Sequence, residues 1–175
     1  MLRYSEESSA DILKGFECGI QVMDEFIRGP LKDFLKDDPR YQLFVARDDK
    51  NGIVAMFVIS TGAFVKQGDG FEDLPPGKPW SYFDEDLQIR NGSRYPTVEI
   101  DYLAVRKDLR EKGYGTEILG KIMETAKQRG CFFLTVDAYH DQEYSAIPFY
   151  EKQGFFALEE YSIKYDALRM AVRVQ

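Results

Sequence analysis

Metal-ligating side chains are scarce in this sequence. Of 175 residues, one is histidine (His140) and two are cysteine (Cys18 and Cys131). The cysteines lie far apart, with no Cys-x-x-Cys or paired-histidine spacing around them. A zinc site is therefore not expected, and no metal is assigned. Two distant cysteines fit reduced, packed thiols better than a disulfide framework. His140 follows a strand and reads as a surface-loop histidine. Long apolar runs are missing too. The opening Met1–Phe16 stretch is polar and no segment approaches a membrane-spanning length, so a soluble, cytoplasmic protein with no membrane partner is expected. Basic excess is also absent: 23 Lys plus Arg face 30 Asp plus Glu, a formal net charge of -7. Such a chain repels phosphate backbones at long range, which disfavours broad nucleic-acid binding.

What is present is a hydrophobic fraction of 44% and an aromatic fraction of 14%, enough for a sizeable core. The length suits a single domain over 1–175 with an insertion loop at about 66–95. Leu2–Tyr4 reads as a short strand, and Ser8 or Ser9 can cap a helix through Lys14. Gly15 and Gly19 bracket a turn at Phe16-Glu17-Cys18. Ile20, Met23, Phe26, Ile27, Leu31, Phe34 and Leu35 follow with helical spacing, interrupted at Gly29-Pro30. Strands are expected at Gln42–Arg47 and Ile53–Phe64, joined through Asn51-Gly52 as an antiparallel pair. The segment from Lys66 to Tyr95 is rich in glycine, proline and acids, and reads either as a lid or as a solvated insertion.

Thr97–Val105 reads as a strand. Gly115–Arg129 reads as a helix with Ile118, Leu119, Ile122, Met123 and Ala126 on one face, closed by Gly130. Cys131–Ala138 is nearly continuously apolar, which predicts a central strand covered on both faces. A short helix at Ser145–Gln153, a strand at Phe155–Glu159 and a final strand with one wet face around Leu168–Val174 complete the order. That order predicts a mixed sheet with helices on both faces and a parallel strand-helix-strand unit over 97–138.

Between that strand and helix lies Arg110-Glu111-Lys112-Gly113-Tyr114-Gly115. Two glycines let a backbone approach a ligand, and a helix start offers unpaired N–H groups and a positive dipole end. Together these suit an anion such as a diphosphate, although alone the pattern also fits an ordinary strand-to-helix turn. In combination with Leu103-Ala104-Val105 before it and Phe149-Tyr150-Glu151-Lys152-Gln153-Gly154-Phe155 one strand later, the sequence resembles the GNAT family of acyltransferases. The resemblance implies an α/β (α+β) fold: a mixed, mostly antiparallel sheet with a splayed parallel central pair. It implies acetyl-CoA as co-substrate. Leu103, Ala104 and Val105 would present backbone groups to its pantetheine arm. The amides of Arg110, Glu111, Lys112, Gly113, Tyr114, Gly115 and Thr116 would hold the diphosphate.

It also implies that Tyr150 sits near the thioester sulfur. There an un-ionised phenol can protonate the departing thiolate. On the residues alone Tyr150 would read as a packing tyrosine. Glu99 occupies the place of a glutamate general base known in one branch of the family, and Asp101 shares its face by strand alternation. Many members use no dedicated base. One departure is Glu143, which stands where the family often has an asparagine three residues before the alanine matching Ala146.

The acceptor would be a primary amine of a small molecule or peptide. The acids Asp69, Glu72, Asp73, Asp84, Glu85 and Asp86 of the insertion suit a cationic one. The front half, Phe16-Glu17-Cys18-Gly19 and Met23-Asp24-Glu25-Phe26-Ile27, resembles GNAT toxins that acetylate aminoacyl-tRNA and are neutralised by a ribbon-helix-helix antitoxin. That gives a tRNA substrate and an antitoxin partner as the alternative. A non-catalytic acetyl-CoA-binding domain is a third reading. A homodimer through the last strands is a family-level expectation.

Overall fold

The computed structural model describes residues 1–65, 94–157 and 166–174. The predicted insertion loop, its six acids and the end of the Phe155–Glu159 strand lie outside the described residues, apart from Arg94 and Tyr95 at the loop's end. The strands are β1 (Arg3–Glu7), β2 (Gln42–Asp48), β3 (Gly52–Val65), β4 (Arg94–Val105), β5 (Phe133–Tyr139), β6 (Phe156–Ala157) and β7 (Ala167–Arg173). The helices are α1 (Gln21–Arg28), α2 (Leu31–Asp37), α3 (Tyr114–Gln128) and α4 (Ile147–Lys152). Two compact units result, one of residues 1–61 and 100–124, the other of 62–99 and 125–175.

In the first unit the strand order is β1-β2-β3-β4. β1 and β2 pair antiparallel from Arg3↔Arg47 to Glu7↔Leu43, and β2 and β3 from Gln42↔Ile59 to Asp48↔Gly52. The hairpin turn lies within the expected Asp48–Gly52. Of Asn51 and Gly52 only Gly52 takes a positive φ, and Asp49-Lys50-Asn51 forms a three-residue loop between the paired Asp48 and Gly52. The Asp48 carboxylate shapes it by accepting the Lys50 N–H at 2.7 Å. Val54–Ser60 is buried without a break, as a strand covered on both faces must be. On one face Met56 and Val58 join Leu43, Val45, Ile27, Leu31 and Ala104 in the core. On the other, Phe57 stacks on Phe44 with centroids 5.1 Å apart.

The apolar stripe read from Ile20 to Leu35 packs on that core, with Ile27 and Leu31 fully inside. Its interruption falls at Gly29-Pro30, where α1 ends and α2 begins. Pro30 supplies no N–H but is pre-set for a helix start. Phe26 stacks on Tyr102 of β4 at 4.1 Å, and Phe34 meets the same ring edge-on at 5.5 Å. The expected helix after Ser9 is one 3₁₀ turn, Ala10–Leu13, with the Ser9 hydroxyl accepting the Asp11 N–H. Leu13 O is taken by Phe16 N–H at 2.9 Å, so the chain turns before a second helical turn can form.

In the second unit the order is β4-β5-β7-β6. β4 and β5 run parallel, and the Phe132 N–H donates to Pro96 O at 2.9 Å beside their start. β5 and β7 are antiparallel from Phe133↔Arg173 to Tyr139↔Ala167. Phe133–Val136 is buried, matching the expected central strand. Helix α3 buries Ile118, Leu119, Ile122 and Ala126, and ends where Gly130 adopts φ 69° and the Cys131 N–H returns to Ala126 O at 3.0 Å. Helix α4 is shorter than the expected Ser145–Gln153. Ser145 instead bridges to His140 and its hydroxyl caps the Ile147 N–H. Among the described residues no helix is long and apolar enough to cross a membrane.

Candidate active site

In the first unit, β4 delivers Leu103, Ala104 and Val105 to a 3₁₀ turn at Lys107–Leu109 and then to the exposed Glu111-Lys112-Gly113 segment ahead of α3. Two residues there have positive φ: Glu111 at 62° and Gly113 at 88°. Left-handed residues in a turn can bring successive N–H groups to one side, and a helix start presents further amides. Gly113 O accepts the Glu117 N–H at 3.1 Å, which places Gly113 at the helix threshold. A Cβ at Gly113 would meet nothing within 4 Å, so the requirement for glycine there is its dihedral rather than space. Glu111 bears the same left-handed geometry with a side chain, a cost of order 1 kcal/mol that concentrates at functional loops. Arg110, Glu111, Lys112, Gly113, Tyr114, Gly115 and Thr116 thus form one continuous turn into a helix.

The loop is held at both ends. The Arg106 guanidinium donates to Asn51 O at 2.6 Å and Ile53 O at 3.0 Å, and the Arg106 backbone N–H donates to Val54 O at 2.8 Å. At the helix end, the Tyr114 hydroxyl donates to Asp48 at 2.8 Å. Arg106 also pairs with Asp108 at 2.6 Å, but that partner lies in solvent, where ion pairs contribute little. Arg106→Ala is therefore expected to lower stability by roughly 1–2 kcal/mol, because two carbonyls lose a charged donor. Asp108→Ala should leave the melting curve almost unmoved. Denaturant melts of the two variants side by side check this.

The front-half motif is packed into the same unit. Cys18 is buried and its thiol is pushed up to about 11, chiefly by burial. Cys131 is buried and raised as well. Thiolate is the reactive form, so at pH 8 both cysteines should resist iodoacetamide in the native protein and label only after unfolding. Mass spectrometry of the two states reads this directly.

In the second unit, Tyr150 lies in α4 and is buried, with its ring against Phe149 at 5.0 Å and Phe155 at 5.2 Å. Burial raises its pKa far above the ordinary 10, with the neighbouring Tyr144 adding to the effect. The phenol therefore keeps its proton at any physiological pH.

Glu99 lies on β4, and sequence reasoning missed its neighbour. Arg169 of β7 bonds the Glu99 carboxylate through Nη2 and reaches Asp137 of β5 through Nη1 at 3.2 Å. The Glu99 and Arg169 side chains are each 29% exposed, so this pair is better shielded than a surface one. The other Glu99 oxygen lies over Gly62 of β3. A Cβ at Gly62 would stand 3.2 Å from Glu99 Oε2 and 3.0 Å from Thr97 Oγ1. The strand thus carries a notch in which Glu99 is seated. The register Asp137↔Arg169 could have been sought from alternation in the last strand, but the partner 70 residues away from Glu99 leaves no local signal.

Glu143 sits in a turn shaped by Asp141, whose carboxylate accepts the N–H groups of Glu143 and Tyr144 at 2.7 Å each. It does not reproduce an asparagine amide. Among the described residues no group of three His, Cys, Asp or Glu side chains is arranged to hold a metal ion.

Comparison with known proteins gives a consistent result. The family model described as acetyltransferase (GNAT) family matches residues 14–155. No curated protein matches. Among solved structures, a bacterial toxin aligns with TM-score 0.70 at 18% identity, over 100% of this chain and 92% of that one. AtaTR bound with AcCoA aligns with TM-score 0.66 at 17% identity, over 99% and 94%. AtaT complexed with acetyl-methionyl-tRNAfMet aligns with TM-score 0.64 at 16% identity, over 97% and 94%.

Proposed function

The chain belongs to the GNAT family of acetyltransferases, and from that membership we propose that it moves an acetyl group from acetyl-CoA to a primary amine, with Tyr150 as the proton donor and the 110–116 turn as the diphosphate site. The observation that carries the reading is the 107–116 segment. It combines left-handed Glu111 and Gly113 with a helix start at Tyr114, a short link after β4. Acetyl-CoA brings the activated acyl group. The amides from Arg110 to Thr116 bind and orient its diphosphate, and the backbone of Leu103, Ala104 and Val105 aligns its arm.

The acceptor nitrogen attacks the thioester carbonyl, the C–S bond breaks, and the nitrogen loses a proton. Tyr150 offers its O–H to the sulfur as negative charge develops there. Its buried, un-ionised phenol suits that task at neutral pH. The proton lost from nitrogen restores the balance. Glu99, seated over Gly62 and bonded by Arg169, is a carboxylate placed to accept that proton directly or through water, and Asp101 on the same face is the other candidate.

The acceptor we favour is a small-molecule or peptide amine, in keeping with the net charge of -7. A second reading, the amino group of aminoacyl-tRNA, is supported by full-length similarity to AtaT complexed with acetyl-methionyl-tRNAfMet. Under it an antitoxin would be a further partner. Thiol release from acetyl-CoA across polyamines, amino sugars, peptides and charged tRNA separates the two. Turnover with one amine class alone names the acceptor. Tight acetyl-CoA binding without turnover on any of them would sink the enzymatic reading of this chain.

A further inference from the structure

Asp24 is an acid in the midst of the apolar stripe of α1, and it is buried. Its two oxygens each take one backbone amide of the preceding turn. Oδ1 accepts the Cys18 N–H at 2.7 Å and Oδ2 the Gly19 N–H at 3.0 Å. That turn in turn seats Lys107, the first residue of the 3₁₀ turn leading into the loop. The Lys107 N–H donates to Glu17 O at 2.9 Å, and Lys107 Nζ pairs with Glu17 at 2.6 Å. The Lys107 Cβ lies where Gly19 has no side chain, 3.2 Å from the position a Cβ would take. Two residues further on, Leu109 is buried, and Lys112 Nζ returns to Asp108 O at 2.9 Å. Hydrogen bonds thus join Asp24 to the Cys18-Gly19 amides and Glu17 to Lys107, and from Lys107 the chain runs through the 3₁₀ turn, where Lys112 returns to Asp108 O, into the Arg110–Gly113 turn.

We infer that Asp24 is a positioning residue for the diphosphate loop: its carboxylate fixes the Phe16–Gly19 turn as a platform, and Lys107, seated on that platform, sets where the loop's amides point. The inference rests on the reading of the 110–116 turn as the diphosphate site. A carboxylate is needed because both partners are donors. An asparagine at this place would offer one oxygen and one NH₂, so either the buried Cys18 N–H or the part-buried Gly19 N–H would face another donor. The shape would persist while the platform lost one of its two bonds.

The experiment measures the affinity of wild type and of Asp24→Asn for acetyl-CoA and for S-acetylpantetheine, which lacks the diphosphate. Melting temperatures are recorded without ligand. The expected result is a loss of about tenfold for acetyl-CoA, an unchanged affinity for S-acetylpantetheine, and an unchanged kcat at saturating acetyl-CoA. Equal weakening toward both donors would overturn the inference, because it would make Asp24 a general structural residue. Unchanged affinity for both would overturn it as well. Should Asp24→Asn fail to fold, Gly19→Ala carries the test, since an alanine at φ 82° strains the same platform and its methyl group presses on Lys107. Gly113→Val tests the underlying reading separately. If it weakens acetyl-CoA binding and Asp24→Asn does not, the inference fails alone. If neither does, the diphosphate site itself is misassigned.

Discussion

Replacing Tyr150 by phenylalanine is expected to lower kcat by about 10²-fold or more and to change the KM for acetyl-CoA little. Phenylalanine keeps the ring that packs against Phe149 and Phe155, so the helix and its surroundings should stand. In the proposed role, what is lost is the O–H that would protonate a sulfur gaining charge only in the transition state, and such a loss falls on kcat. The pH dependence has a definite sign. Burial raises the Tyr150 pKa, so the folded protein holds the neutral phenol from neutrality to beyond pH 10. The kcat profile of the wild type should therefore show no falling limb from this group below pH 10. The same shift ties to stability. Its contribution is fully present below the unfolded tyrosine pKa near 10 and is lost as pH rises above it. Steady-state thiol release for the two proteins from pH 6 to pH 10 checks the rate. A kcat within twofold of wild type would return Tyr150 to the role of a packing side chain.

Glu99→Ala is expected to reduce kcat/KM by about 10²-fold at pH 7 if the carboxylate accepts the amine proton. The defect should shrink as pH approaches about 10, where an alkylamine loses its proton unaided. A merely structural role gives a different pattern. Arg169, deprived of one of its two carboxylates, would shift in the same way at every pH, and the loss would be pH-independent. The slope of the defect against pH thus separates a proton acceptor from an anchor for Arg169. Activity unchanged at all pH values would favour selection of the neutral amine from solution.

Much of the fold was legible because it follows from periodicity. The stripe from Ile20 to Leu35, the unbroken apolar runs of β3 and β5, and the one-sided α3 need no distant partner to be read. Gly130 was legible for a related reason, since a helix end has few chemical solutions; Gly113 was read as allowing close approach to a ligand, whereas its φ of 88° is what calls for glycine. The parts that escaped depend on pairs remote in sequence or on polarity turned inward. Asp24 reads as a solvent-facing acid on any hydropathy scale, and only the two amides at Cys18 and Gly19 explain its burial. Arg169 looked like the wet side of a last strand, yet it spans Glu99 and Asp137. The 3₁₀ turn at Ala10–Leu13 and the short α4 were overestimated because cap residues mark where a helix can begin, not how soon the chain must turn. Glu99, Leu103 and Tyr150 could be proposed as site residues only through resemblance; periodicity gave them no chemical role.

The notch at Gly62 bears on how this sheet can change over generations. An alanine there would press at once on Thr97 Oγ1 and Glu99 Oε2, so a substitution with free room on most strands requires these two side chains to give way here while they remain. Once either has been trimmed, the same substitution becomes neutral or even favourable, since glycine is a poor strand former. Positions 62, 97 and 99 are therefore epistatic, and the order of mutation matters. In a combinatorial library of the three, variants with a side chain at 62 should survive mainly alongside a smaller residue at 97 or 99. The glycine would thus act as a historical lock on the glutamate.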